Sequence, residues 1–249
     1  MRPVPILLLL TCVGCAAEGP VPEETATVSD ELHGDHGNPN PMLFGKNDHP
    51  YGRSLERWSE LLWSYIYAQP LDHNPFLDPT GADCAIGQEG PVWFLPSVPG
   101  GSLGTDVERS CTIPRHRAVM LQLASTLNDY PCPDPTFHPA PGQSLFDFLI
   151  EAITPLFDGE TGFTVSLDGV EVVDPLSYRF TSDDLFLFKG NAGLSPDFDP
   201  CVTGRWQPAV TDGFYLMFKP LAPGEHTIVA NGHDMHGVLV TLTEHLTIR

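Results

Sequence analysis

The sequence predicts a mainly β chain: an antiparallel β-sandwich of the Ig-like or jelly-roll type, with two amphipathic helices packed on it. Three observations carry this. Short apolar runs separated by turn residues recur from residue 92 to the C-terminus. Pro 26 and Gly 23 together make about a fifth of the 249 residues, which favours turns and short strands over long helices. Only two segments keep apolar residues at helical spacing.

The elements follow in chain order. Residues 1–14 read as a signal peptide, with Arg2 ahead of an apolar run at 6–10 that is too short to span a bilayer. Residues 15–42 read as a solvated tether, with six acidic residues and no Lys or Arg between Ala16 and Pro41. A single folded domain is expected over residues 43–249. The first helix covers 54–67, where Leu55, Trp58, Leu61, Leu62, Tyr65 and Ile66 share a face and Pro70 blocks continuation. Trp63 and Tyr67 lie on another face, free to pack elsewhere or stay exposed. In the second helix Ser144 is the cap, Asp147 stands at its N3 place, and Leu145, Phe148, Leu149, Ala152, Ile153 and Leu156 form the apolar stripe. Pro155 closes it.

Strands are expected at 92–95, 111–113, 117–123, 185–188 and 214–218. Two runs at 163–167 and 170–173 flank Asp168-Gly169, the signature of a type I′ hairpin. Pro223-Gly224 turns into 226–229, and residues 238–248 alternate almost to the end.

Charge excludes one class of partner. Lys+Arg 12 against Asp+Glu 32 gives a net charge of -20, which argues against nucleic acid. The acidic surface serves solubility. Gly14-Cys15 resembles the lipobox of bacterial lipoproteins, although Cys12 stands where that pattern prefers Leu. The resemblance implies a diacylglycerol on Cys15 and attachment to a membrane through that lipid. Ala16 at the next position resembles an outer-membrane sorting signal; secretion follows if the lipobox is not used. Cys84, Cys111, Cys132 and Cys201 then remain for two disulfides, with three connectivities open. Cys84–Cys111 with Cys132–Cys201 is favoured, because Cys84 and Cys111 flank the run at 92–95.

A second resemblance runs through the domain. Trp58-Ser59 with Trp63, Asn74-Pro75, residues 78–95 and Cys111-Thr112-Ile113-Pro114 are similar to a family of uncharacterised exported bacterial proteins. Tyr178-Arg179, Asp212-Gly213-Phe214-Tyr215 and the Pro223 to Ile228 turn look similar too; residues 117–128 depart from the pattern. The resemblance implies a fold and a compartment but no activity. The Pro-Gly-Glu-His-Thr-Ile turn also resembles the closing hairpin of bacterial Ig-like modules, an analogy of fold alone.

Several clusters have ligand-type chemistry. His233, Met235 and His236 offer two imidazoles and a thioether, donors that suit copper. The same segment reads equally as a polar hairpin loop. Asp72, His73, Asp83 and Gln88, with Asp78 and Glu89 nearby, are candidates for general acid–base work or for a divalent metal such as calcium. Asp and Asn beside Pro also build plain turns. Trp63 and Trp206 are the tryptophans free to bind a ligand, whereas Trp58 and Trp93 fall at core positions. Asp197 and Asp199 before Cys201 read as a disulfide-pinned turn. Neither H-E-x-x-H nor G-x-S-x-G occurs. Two functions therefore stand: a surface lipoprotein that binds or presents a small molecule, glycan or protein, or an extracytoplasmic hydrolase or metal-dependent enzyme built on the loops of residues 72–89.

Overall fold

Two five-stranded sheets share one apolar core, so the chain is a β-sandwich with helices packed on it. The computed structural model describes residues 38–99, 105–160, 162–195, 197–233 and 237–249. In the first sheet β1 (Val92–Leu95), β3 (Ala118–Asp129) and β8 (Trp206–Phe218) lie side by side. Both β6 (Arg179–Thr181) and β7 (Phe186–Lys189) pair with β8. The second sheet runs β2 (Asp106–Ile113), β10 (Leu239–Ile248), β9 (Gly224–His233), β4 (Thr164–Leu167) and β5 (Val170–Glu171).

The pairing is mixed rather than antiparallel throughout. β1 runs parallel to β3, and β2 runs parallel to β10 from Asp106↔Thr241 to Ile113↔Ile248. Alternation predicts which face of a strand is buried but not which neighbour it takes. In β2, Val107, Arg109, Cys111 and Ile113 face inward while their neighbours are exposed. An inward Arg at the second buried place is why only 111–113 read as strand. β8 is 13 residues long, yet only 214–218 read as strand for a similar reason: Gln207, Thr211 and Asp212 are buried polar residues that interrupt its apolar pattern. β6 was not expected at all.

The hairpin between β4 and β5 is as expected, with Asp168 at φ 51° and Gly169 at φ 77°. Its second strand stops early. The backbone of Val173 is claimed instead by Asn40, whose Nδ2 donates to the Val173 carbonyl (2.9 Å) and whose Oδ1 accepts from the Val173 amide (2.6 Å). Asn40 is only 1% exposed, so the packed domain begins before residue 43. The two disulfides join Cys84 to Cys111 and Cys132 to Cys201, the pairing favoured from spacing.

Both helices are where the periodicity puts them. α1 (Leu55–Ala68) is capped by Ser54 and α2 (Leu145–Ile153) by Ser144, whose Oγ accepts from the Asp147 amide at 3.0 Å. Ser144→Ala is expected to cost about 1 kcal/mol in urea unfolding. Val210 of β8 belongs to the α2 cluster, while its neighbour Ala209 belongs to the main core. Successive strand residues point to opposite faces. α2 therefore covers one face of β3–β8, and α1 lies on the other, where Trp63 reaches Tyr215. Among the described residues no helix is long and apolar enough to cross a membrane.

Candidate binding cavity

A bulge in β3 makes the floor of a cavity. Between Gln122 and Ala124 the register against β8 slips by one residue, so that Gln122 opposes Tyr215 while Ala124 opposes Phe214. Directly across from Ser125 stands Gly213 at φ 152°, where an added Cβ would lie 2.1 Å from that of Ser125. Only glycine lets the two strands approach this closely. The cavity above has a volume of about 370 Å³, within the range of small-molecule sites. Its walls come from both sheets: Val98, Leu123 and Phe163 with Ala230, Val240 and Leu242. Glu160 and His233 border it.

Beneath the apolar walls lies a hydrogen-bonded polar floor. Gln122 is wholly buried; its Oε1 accepts from the Ser97 amide (3.0 Å) and its Nε2 donates to Ser125 Oγ (2.5 Å). The Trp63 indole N–H reaches both Ser125 Oγ (3.0 Å) and the Tyr215 hydroxyl (2.9 Å). Tyr215 is also bonded to Thr211 Oγ1 (3.0 Å), which donates to the Thr126 carbonyl (2.8 Å). Burial pushes the Tyr215 phenol well above its usual range, outweighing its hydroxyl and indole partners. It stays a neutral phenol at any physiological pH. The floor is thus fixed, uncharged and supplied from α1, β3 and β8.

The residues singled out from sequence are distributed differently. Trp63, expected to be free, is 5% exposed and packs on Tyr67 and Phe76; it supports the floor from behind. Trp206 is as free as expected, 69% exposed and opposite Lys189 in register. His233 stands at the cavity rim, with Nδ1 2.8 Å from where a Cβ on Gly162 would be. Met235 and His236 lie outside the described residues, as does Cys15.

Asp72, His73, Asp83 and Gln88 do not converge on a cavity. Asp72 and His73 are exposed, and His73 Nδ1 meets Asp83 Oδ1 at 3.3 Å on the surface. Gln88 is turned inward and behaves like a short strand. Its Nε2 donates to the Phe94 carbonyl (2.7 Å) and to Tyr65, and its Oε1 accepts from the Phe94 amide (3.0 Å). Asp78 caps its own turn. Burial would raise its carboxyl, but the amides of Asp83 and Thr80 hold it below the usual range. The residues that carry the family resemblance here hold β1 and its preceding loop in place.

Two buried charged centres were not foreseen. In the core, Arg109 of β2 stands level with Glu244 of β10, their side chains 3% and 2% exposed and 3.7 Å apart. Arg109 also donates to the carbonyl of Pro96 (2.7 Å), while its Nε and Glu244 Oε1 make no hydrogen bond. Burial raises the Glu244 carboxyl to about 7 against the pull of Arg109. Beside the second disulfide, Asp129 and Asp199 bring carboxyl oxygens within 4.8 Å of each other. Burial, with the charge of Asp199, raises Asp129 to about 7. Cys201, which adjoins them, has its sulfur in the disulfide and is no metal ligand. An alternation of strand residues that places a charge inward was the signal available for Arg109 and Glu244.

On the opposite edge, Arg179 forms a two-toothed pair with the fully buried Asp212, at 3.0 and 2.6 Å. The Tyr178-Arg179 and Asp212-Gly213 stretches of the resemblance are therefore in contact, and their role is to fasten β6 to β8.

No protein-family model matches the chain, and no curated relative is similar to it. A solved structure described as "Structure of PbICP-C in complex with falcipain-2" matches with 8% identity and a TM-score of 0.23, covering 64% of this chain and 100% of that one. A likeness at that level carries no argument.

Proposed function

We propose that the protein is an exported, lipid-anchored ligand-binding module whose ligand occupies the cavity above the β3 bulge. The cavity carries the reading: about 370 Å³ of mainly apolar space with a small, rigid polar floor. Buried Gln122 and Tyr215 on that floor are held by hydrogen-bond partners instead of being replaced by apolar residues. Export is supported by the two disulfides, which persist in oxidising compartments. Anchoring rests on Cys15 in its lipobox-like setting, and Ala16 favours the outer membrane. Several acyl chains on one residue hold a protein firmly to a bilayer.

The test uses N-phenylnaphthylamine, an uncharged fluorophore that brightens in apolar surroundings. It is expected to bind the full chain and raise its melting temperature by mass action. Ala230 is 8% exposed and lines the cavity, so Ala230→Leu fills it without breaking a hydrogen bond. The variant should fold with equal or greater stability and lose the fluorescence. Undiminished probe binding to Ala230→Leu would move the site elsewhere. The anchor has its own test: Cys15→Ser should leave the membrane fraction or remain unprocessed, and identical fractionation would refute the lipid.

A further inference from the structure

We infer that the domain binds one water molecule as a fixed part of its core, held between Arg109, Glu244 and Asp78. This site is independent of the apolar cavity above the β3 bulge. A second cavity, of about 10 Å³, is lined by Arg109 of β2, Glu244 of β10 and Asp78 from the loop before β1. That is close to the smallest space in which a water fits, and it is too small for an organic ligand. Pro75, Cys84, Phe94 and Pro96 complete much of its wall. Pro75 and Pro96 have no amide proton, and those of Cys84 and Phe94 go to the Gly81 carbonyl and to Gln88.

Two atoms at this cavity call for a partner. Among the described residues, Arg109 Nε and Glu244 Oε1 are buried and make no hydrogen bond. The ion pair does not satisfy them. It runs from Arg109 Nη1 to Glu244 Oε1 over 3.7 Å, beyond hydrogen-bond length. Nη1 donates to the Pro96 carbonyl (2.7 Å), and Nη2 faces the Phe76 carbonyl (3.4 Å). The Nε proton thus needs an acceptor, and Oε1 needs a donor. Buried polar atoms in folded proteins are nearly always paired, with protein or with an ordered water.

Protons and charge select the occupant. A guanidinium N–H only donates, and an ionised carboxylate only accepts. Whatever joins them must accept and donate at once. A metal cation or an ammonium would serve Glu244 but leave the guanidinium against a like charge. A chloride would accept from Nε, yet it would sit against the carboxylates of Glu244 and Asp78. Water does both and is neutral. Its oxygen accepts from Nε, one proton goes to Glu244 Oε1 and the other to Asp78. The Asp78 carboxylate has room for it: Oδ1 takes the Thr80 amide and hydroxyl, whereas Oδ2 takes the Asp83 amide alone (2.8 Å). Three partners is the usual number for an internal water. The water therefore ties the loop before β1 to both strands of the parallel pair β2–β10.

The first test needs no variant. A high-resolution crystal structure of the full chain, grown at pH 8 where Glu244 carries its charge, should show one density peak in this cavity. The peak should lie about 2.7–3.2 Å from Arg109 Nε, Glu244 Oε1 and the Asp78 carboxylate. A peak with the anomalous signal of chloride, or with the shorter contacts of a metal ion, overturns the inference. So does a direct bond between Nε and Oε1 with no peak beside it. The second test is oxygen-17 relaxation dispersion, which counts waters retained for longer than the protein takes to tumble. The double variant Arg109→Met with Glu244→Leu removes both the donor and the acceptor, so its count should be one lower than that of the wild type. An equal count in the two proteins overturns the inference.

Discussion

Arg109→Met is expected to destabilise the protein by about 3–5 kcal/mol, the cost of breaking a buried ion pair from one side. The guanidinium lies on the inward face of β2, and its partner Glu244 is 2% exposed on the adjacent strand. Methionine fills much of the space but leaves the carboxyl alone in the core. It also strips a donor from the Pro96 carbonyl at the end of β1. Glu244 is already raised to about 7 by burial, so it can shed its charge by taking a proton. The penalty should therefore shrink as pH is lowered from 8 to 6. The double variant Arg109→Met with Glu244→Leu should be clearly more stable than Arg109→Met, since no charge is left buried. Urea unfolding of the four proteins in the cycle gives the coupling directly. A single-variant loss below about 1 kcal/mol would show that the pair is not isolated from solvent.

The second large effect is on pH dependence. Asp129 is 3% exposed, faces Asp199 and Gln207, and titrates near 7 instead of near 3.8. An acid raised on folding binds more protons in the native state than in the unfolded one. Stability must then fall as pH rises from about 4 to about 7 and level off above. The full span is on the order of 4 kcal/mol. Glu244 slopes the same way over the same window, so the wild-type curve alone does not assign the effect. Asp129→Asn keeps an oxygen to accept from Gln207 Nε2 and needs no proton. It should be more stable than wild type at pH 8 by a few kcal/mol, with the gap closing towards pH 4. Parallel curves for the two proteins would mean that Asp129 stays ionised beside Asp199.

Both centres show how far pattern reading reaches. Val107, Cys111 and Ile113 alternate cleanly, yet Arg109 between them breaks the apolar sequence, and a strand of 8 residues looked like one of three. The same happens in β8 at Gln207, Thr211 and Asp212. Each of these buried polar side chains has a partner on another strand. That partner is invisible to a local pattern. The cavity floor escaped for the same reason. Gln122, Ser125, Trp63 and Tyr215 are spread over more than 150 positions, as the Trp63–Tyr215 bond alone shows. None of them belongs to a motif with chemical meaning. The clusters that looked chemical were local: His73 and Asp83 meet only at the surface, and Gln88 serves the backbone.

By itself the sequence determined whatever depends on neighbours along the chain. The two helices follow from a 3.6-residue stripe with a serine cap. The hairpin at Asp168-Gly169 follows from a turn that needs positive φ at two successive residues. The disulfide pairing was within reach because the two bridges close separate stretches of chain, of 27 and 69 residues. Only the tertiary structure decided that β1 and β2 pair in parallel with β3 and β10, and that Asn40 ties the N-terminal segment to Val173. It also decided that a slipped register at Gln122 opens a cavity over an uncharged floor. Parallel partners and cavity walls come from strands far apart in sequence. Their selection is made by the burial and hydrogen-bond balance of the whole core, which no local window of residues contains.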